Sequence, residues 1–205
     1  VEVEQSSLVA EHAPLISMAM PYIAHAAVRN RGTIGGSIAF ADPAAELPAC
    51  IVALHANLIA QSSKGERKIP AIDFFRGLYE TALASDEVLI AIELPVAADQ
   101  QKFAFRELAR RHGDYAMIGV CACTEWSENT LSEARLVYFN AGDQPVLAAQ
   151  TASALTGVLS AENLESAVEH LAEDLDPLGD LNADPSMRLH LAKVLTRRIF
   201  QEWTS

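Results

Sequence analysis

Three segments with strand-like hydrophobic patterns follow one another in the middle of the chain, and they constrain its fold most strongly. They are Lys102–Glu107, Met117–Trp126 and Ala134–Asn140, and the turn Ser127–Asn129 separates the second from the third. Short connections of this kind join neighbouring antiparallel strands. From Pro145 onward the apolar spacing changes to the helical period. The sequence therefore predicts an α+β fold in which a three-stranded antiparallel sheet packs on helices.

The helical part after the sheet contains three predicted helices. Two of them cover Leu147–Leu155 and Glu162–Leu175. The third begins at Asp184-Pro185, because Asp is a favoured N-cap residue and Pro is favoured at the first helical position. Its apolar stripe consists of Met187, Leu191, Val194 or Leu195, and Ile199.

The first half of the chain mixes helical and strand patterns. Residues 8–27 are predicted to be helical, with breaks at Pro14 and Pro21. The later elements are a buried helix at Leu47–Leu58, a hairpin of Leu58–Gln61 with Arg67–Ile69, and a strand at Glu87–Leu94. The weakly patterned segment Val96–Gln101 follows this strand. We therefore expect two domains, covering residues 1–97 and 98–205.

Composition excludes several classes of partner. The chain has 15 Lys and Arg against 27 Asp and Glu, which gives a net charge of −12 and disfavours nucleic acid and anionic membranes. Its apolar runs are far shorter than the roughly 18 residues that span a bilayer, so no membrane span is expected. The only cysteines are Cys50, Cys121 and Cys123. This sparse, odd number favours a reducing compartment, the cytoplasm, without a disulfide framework. Neither the cysteines nor the scattered histidines form a metal-ligand or triad pattern.

A cluster of glycines between Arg29 and Ser37 is the clearest candidate for chemistry. Gly32, Gly35 and Gly36 lie within five residues of one another. Backbone N–H groups without neighbouring Cβ atoms can approach a ligand closely and hold an anion such as a pyrophosphate. The alternative is a tight turn, which is the commoner use of glycine. The segment is not a P-loop, because no Gly-Lys-[Ser/Thr] follows.

The residues around this cluster carry a resemblance to a known family. The matching stretches are Arg29–Ala39, Ala41–Pro48, Asp73–Phe75, Glu87–Pro95, Phe103–Arg106, Arg110–Ala116 and Arg188–Arg198. Together they resemble the FAD-binding medium subunit of molybdenum hydroxylases, the carbon monoxide dehydrogenase and xanthine dehydrogenase family. The resemblance implies the second lobe of a two-lobed FAD-binding domain of the vanillyl-alcohol-oxidase type, followed by a C-terminal domain.

This resemblance also implies which residues hold the FAD diphosphate and ribityl chain. They are Thr33, Ile34, Gly35, Gly36 and Ser37, through backbone groups and hydroxyls. Glu46 matches an acidic position that reaches the cofactor. The alternative for Glu46 is a carboxylate that only stabilises a helix N-terminus.

Four further positions match residues around the flavin ring or the adenine. Ile23 and Leu89 match apolar positions, for which an ordinary core role is the alternative. Tyr115 matches an aromatic residue that lies over the isoalloxazine. Arg106 matches a cation at the pyrimidine end, where it would stabilise the reduced, anionic flavin. On this basis Arg106→Met is expected to lower the flavin potential, and an exposed strand arginine is the alternative.

The family resemblance further implies that the chain works within a complex. A large subunit would carry the molybdenum cofactor, and a small subunit would carry [2Fe-2S] clusters that deliver electrons to FAD. The chain has too few cysteines to hold these clusters itself. The alternatives are a free-standing flavin reductase of the same superfamily and an assembly domain without flavin.

Relatives of this kind carry an earlier flavin lobe with its own Ala-Gly-Gly-x-[Ser/Thr] loop. The sequence shows no such segment. We therefore expect that this chain alone binds FAD weakly or not at all.

Overall fold

The computed structural model describes residues 1–204 and confirms the predicted α+β class. The helices are α1 Glu2–Gln5, α2 Ser7–His12, α3 Pro14–Ala19, α4 Ala26–Arg29, α5 Ile34–Phe40, α6 Glu46–Ala53, α7 Ala71–Phe74, α8 Ala149–Leu155, α9 Ala161–Glu169, α10 Leu171–Asp174 and α11 Pro185–Thr204, with a 3-10 helix at Met20–Tyr22. The strands are β1 Asn57–Ser62, β2 Gly65–Pro70, β3 Phe75–Gly77, β4 Glu80–Thr81, β5 Val88–Glu93, β6 Gln101–Ala109, β7 Ala116–Ser127, β8 Thr130–Phe139, β9 Val146–Leu147 and β10 Gly157–Val158. No helix within residues 1–204 is long and apolar enough to cross a membrane.

The first half of the chain forms a helical layer around a small sheet. The sheet has the strand order β2-β1-β5, and β1 and β2 form the predicted hairpin, with Ser62 opposite Gly65 at its end. The long helix predicted for residues 8–27 is interrupted at Pro14, where α3 begins, and at Pro21, which lies in the 3-10 helix. Helix α6 is buried along its whole length, as predicted, but it is shorter because strand β1 begins at Asn57.

The second half is built on the predicted antiparallel meander of β6, β7 and β8. The expected number of three strands is wrong, because β9 and β10 also pair with β8 and make the sheet five-stranded. Leu147 lies opposite Val137, and Gly157 lies opposite Leu131. These two short strands flank α8 and occupy the edge of β8 that would otherwise present unpaired backbone groups.

The central sheet separates two hydrophobic cores. Phe105, Cys121 and Val137 lie side by side in the strand register and belong to the core shared with the first half of the chain. The next row, Val120 and Tyr138, belongs to the core formed with the C-terminal helices. Alternate residues of each strand therefore face the two halves of the molecule.

Helix α11 begins where the sequence predicts. Asp184 caps it by accepting a hydrogen bond from the backbone N–H of Met187 at 2.8 Å. The predicted stripe is only partly correct, because Met187 is 48% exposed while Arg188 is buried. The Arg188 guanidinium binds Asp180 at 2.7 Å and the backbone oxygen of Asn140 at 2.9 Å, and these partners stabilise its charge inside the protein.

Candidate functional site

The glycine cluster forms the start of a helix rather than the loop that the sequence suggests. Thr33 is the N-cap of α5, and its hydroxyl oxygen accepts a hydrogen bond from the N–H of Gly36 at 3.1 Å. Gly35 and Gly36 therefore lie in the first helical turn, and neither has a positive φ angle. The N–H groups of Ile34 and Gly35 lie in the first turn of the helix. They have no acceptor within it, because the residues four positions before them are not part of the helix. This helix end can therefore donate hydrogen bonds to an external anion.

Space around the two glycines differs. A Cβ atom on Gly36 would lie only 2.7 Å from Oγ1 of Thr33, whereas a Cβ atom on Gly35 would meet no atom within 4 Å. Gly36 is therefore needed for the cap itself. Gly35 instead leaves an open approach to the helix end, which together with the Ser37 hydroxyl one turn along suits a bulky polar group such as a diphosphate.

Helix α5 leads directly into an acidic segment. The chain turns at Ala41, which has a left-handed φ of 54°. The carboxylate of Asp42 then accepts a hydrogen bond from the N–H of Ala44 at 2.9 Å. Glu46 begins α6 and is only 6% exposed. Burial raises the pKa of Glu46, and the nearby Asp42 charge adds to this effect.

Tyr115 lies opposite this acidic segment at the end of the β6–β7 connection. Its side chain is 65% exposed. Desolvation and the neighbouring Asp42 carboxylate raise the pKa of Tyr115 to about 12, so the phenol is neutral. The structure therefore brings Tyr115, Asp42 and Glu46 together, although they come from different halves of the chain.

Ile23 lies in a second segment that packs against the same connection. Arg29 holds this segment by donating hydrogen bonds to the backbone oxygens of Ile23 and Ala24, both at 3.0 Å. Gly113 has a φ of +86°, and a Cβ atom there would lie 2.7 Å from the His25 ring. The close packing of Gly113 against Ala24 and His25 thus places the segment that contains Ile23 against the connection that carries Tyr115.

Two exposed aromatic residues that the sequence analysis missed also border this region. The rings of Phe40 and Tyr79 are 4.9 Å apart, and Tyr79 lies close enough to Tyr115 to influence its pKa. Phe40 is the last residue of α5, but its exposure could not be predicted from an isolated aromatic residue in an apolar stretch. Leu89 is partly buried on β5, against which α5 packs.

Arg106 does not reach this group of residues. It lies in register with Val120, whose side chain belongs to the core on the other face of the sheet. Its guanidinium binds Glu202 of α11 at 2.5 Å and the backbone oxygen of Phe105 at 3.0 Å. Strand alternation thus turns Arg106 toward the C-terminal helices and away from Tyr115 and Glu46.

The neighbouring Glu107 faces the first half of the chain instead. It is in register with Gly119 and Phe139, and Phe139 belongs to the shared core. Burial raises the pKa of Glu107 to about 8, with a further contribution from the charge of Glu46. Its Oε2 atom is buried and has no hydrogen-bond partner in the part of the chain that the structure describes. A raised pKa of this kind favours the protonated, uncharged form of Glu107.

Comparison with known families matches almost the whole chain. Residues 1–97 match the FAD binding domain in molybdopterin dehydrogenase. Residues 103–203 match the CO dehydrogenase flavoprotein C-terminal domain.

Curated relatives of the chain are subunits of dehydrogenases. It is 35% identical over 198 residues to caffeine dehydrogenase subunit beta of a Pseudomonas species, covering 96% of this chain and 67% of that protein. It is 32% identical over 194 residues to the carbon monoxide dehydrogenase medium chain of Hydrogenophaga pseudoflava, covering 94% of this chain and 68% of that protein. The chain thus spans about two thirds of the length of these relatives.

Solved structures show the same fold. Carbon monoxide dehydrogenase from Hydrogenophaga pseudoflava, in a form that lacks the Mo-pyranopterin moiety of the molybdenum cofactor, matches with a TM-score of 0.93 and 32% identity. The match covers 96% of this chain and 69% of that one. Quinoline 2-oxidoreductase from Pseudomonas putida matches with a TM-score of 0.90 and 34% identity over 98% of this chain and 70% of that one. The chain therefore belongs to the FAD-binding medium subunits of molybdopterin dehydrogenases, an oxidoreductase family.

Proposed function

We propose that the chain is part of an electron-transfer subunit, which passes electrons from iron–sulfur clusters through FAD to an external acceptor. A small partner subunit would hold the [2Fe-2S] clusters, and a large partner subunit would hold the molybdenum cofactor and oxidise the substrate, in the cytoplasm. The main support is the match of nearly the whole chain to family members named as medium chains or subunits. These names favour a complex over a free-standing reductase.

The end of helix α5 is suited to hold the FAD diphosphate. Its free N–H groups at Ile34 and Gly35 and the positive end of the helix dipole favour an anion. Gly36 leaves room for the Thr33 cap. The Ser37 hydroxyl lies one helical turn after Thr33. The residues present therefore fit this part of the cofactor.

The ring-binding part of the site is assigned to residues from both halves of the chain. Ile23 and Tyr115 offer an apolar and an aromatic surface on adjoining segments, and Leu89 supports α5 from the small sheet. The Glu46 carboxyl is buried close to Asp42 and supplies a hydrogen-bonding group to a bound polar edge. Bound FAD supplies reversible acceptance and release of electrons, and the residues of this chain hold and orient it.

The test is FAD binding by the subunit that also contains the family's first flavin lobe. Tyr115→Leu removes the aromatic surface and should weaken FAD binding at least tenfold, as measured by fluorescence titration. Tyr115→Phe keeps the ring and should bind FAD nearly as well as the native protein, because stacking depends on the ring face. Equal affinities for the Leu and Phe variants would remove Tyr115 from the proposed site. A native subunit that binds no FAD would contradict the proposal as a whole.

A further inference from the structure

Two buried thiols meet where the halves of the molecule pack together. The Sγ atoms of Cys50 and Cys121 are 3.5 Å apart, and both residues are completely buried. Cys50 lies on α6, and Cys121 lies on β7. Neither thiol has a role in the function proposed above.

The sulfur atoms of the pair lie at the distance of a non-bonded contact. Sulfur atoms in a disulfide are about 2.05 Å apart, so the two thiols are in contact without being bonded. Closing the bond requires the two sulfur atoms to approach by about 1.5 Å. The two elements already pack directly on each other.

We propose that Cys50 and Cys121 form a dithiol site that hydrogen peroxide or a similar small oxidant converts to a disulfide, which fixes α6 covalently to β7. One thiolate attacks a peroxide oxygen, so that an S–O bond forms, the O–O bond breaks and water leaves after protonation. The second thiol then attacks the sulfenic sulfur, so that the S–S bond forms, the S–O bond breaks and a second water leaves. Overall the two thiols lose two electrons and two protons, and peroxide is reduced to two waters.

The environment of the pair determines how fast this happens. Burial is the largest cause of the raised pKa of the Cys121 thiol, followed by its contact with Cys50 and the nearby carboxyls of Glu46 and Glu107. The thiolate is the reactive form. The pair therefore stays reduced in ordinary reducing conditions, and its oxidation accelerates as the pH rises.

Cys123 provides a matched control on the same strand and the same sheet face. Burial raises the pKa of Cys123 to about 11, so it is also a weak nucleophile at neutral pH. Within residues 1–204 it has no second thiol in contact. It shares the burial and strand position of Cys121 but lacks the neighbouring sulfur.

The experiment treats the purified chain with hydrogen peroxide at about pH 7 and about pH 9. Remaining thiols are then alkylated in denaturant, and the products are identified by intact mass and peptide mapping. We expect the oxidised chain to take up one alkyl group, on Cys123, where the reduced chain takes up three. A Cys50–Cys121 linked peptide should form faster at the higher pH and should be reversed by dithiothreitol. The thermal midpoint of the oxidised chain should rise and should return on reduction.

Single substitutions distinguish the formation of the Cys50–Cys121 disulfide from other oxidation of the cysteines. Cys123→Ala should still form the linked peptide, whereas Cys50→Ala and Cys121→Ala should not. Three free thiols after treatment of the folded native chain, added oxygen atoms in place of the cross-link, or a link through Cys123 would each overturn the proposal. If the Cys50 and Cys121 variants do not fold, the native chain and Cys123→Ala decide the outcome. A thermal midpoint unchanged by a confirmed cross-link would overturn the claim that the bond fixes α6 on β7.

Discussion

Arg106 and Glu202 form an ion pair between β6 and α11, with Nη2 and Oε2 2.5 Å apart. This pair lies on the face of the central sheet that packs against the C-terminal helices, because Arg106 is in register with Val120. Glu107 comes next along the strand and therefore faces the other half of the molecule. The ionisable group that β6 directs toward the proposed flavin region is thus the partly buried carboxyl of Glu107 rather than a guanidinium.

The first prediction concerns Arg106 in the FAD-loaded subunit. Arg106→Met should leave the flavin midpoint potential unchanged, because the guanidinium lies on the opposite sheet face. Loss of the partly exposed ion pair should lower the free energy of unfolding by about 0–1 kcal/mol. Spectroelectrochemical titration and urea denaturation measure the two quantities. If Arg106→Met lowers the flavin midpoint potential by tens of millivolts, Arg106 lies close enough to the flavin to influence it.

A second prediction separates the roles of the two glycines in α5. Gly35→Ala should raise the free energy of unfolding by about 0.5–1 kcal/mol, because alanine is the better helix former and its Cβ meets no atom. The same methyl group should weaken FAD binding by intruding on the open approach to the helix end. Gly35→Ala should therefore increase the stability measured by denaturant unfolding and decrease the FAD affinity measured by titration of the subunit that includes the first flavin lobe.

Gly36→Val is the matched comparison at the next position. Its Cβ atom would clash with Oγ1 of Thr33, so loss of the cap should lower the free energy of unfolding by about 0.5–2 kcal/mol. FAD binding should be lost with it. If Gly36→Val retains both its stability and its flavin, the helix end is not the diphosphate site.

A third prediction concerns the pH dependence of stability. Burial raises the pKa of Glu107 from 4.5 to about 8, so the folded protein keeps a proton that the unfolded chain has released. The stabilisation from this group is complete below pH 4.5 and is lost as the pH rises to 8. Glu107→Gln should flatten this decline and increase the free energy of unfolding at the upper end by on the order of 1–2 kcal/mol, a figure reduced for partial solvent exposure.

Glu87 supplies the control for this measurement. Hydrogen bonds from Arg67 and the N–H of Ala84 lower the pKa of Glu87 to about 2. The contribution of Glu87 to the free energy of unfolding is therefore present above pH 4.5 and is lost only as the pH falls toward 2. Glu87→Gln should leave the slope of stability between pH 4.5 and 8 as in the native protein. A native profile that is flat in this range would show that Glu107 ionises normally.

A fourth prediction tests the packing of the central sheet. A Cβ atom on Gly119 would lie 1.9 Å from the ring of Phe139, and that ring stacks on Phe105 with centroids 5.6 Å apart. Gly119→Ala should therefore lower the free energy of unfolding by about 1–3 kcal/mol through overpacking. Gly157→Ala has open space for its Cβ but a φ of +107°, so its loss of stability would come from backbone strain alone. A Gly119→Ala variant as stable as the native chain would show that the aromatic stack can shift freely.

The sequence by itself determined the elements that depend on local pattern and turn chemistry. The β1–β2 hairpin, the β6–β8 meander and the start of α11 at Pro185 follow from alternation, short turns and a capping residue, which act within a few positions of the chain. The family resemblance rests on contiguous motifs of the same kind.

The tertiary structure decided which face of the central sheet packs against which half of the chain, and which residues distant in sequence come into contact. Alternation along β6 separates Arg106 from Glu107, but both sheet faces pack against apolar partners, so the pattern does not tell which face meets which half. The contact between Cys50 and Cys121 and the proximity of Tyr115 to Asp42 join positions separated by about 70 residues. Such contacts are fixed by how the two halves dock through their shared core, and no local signal encodes them.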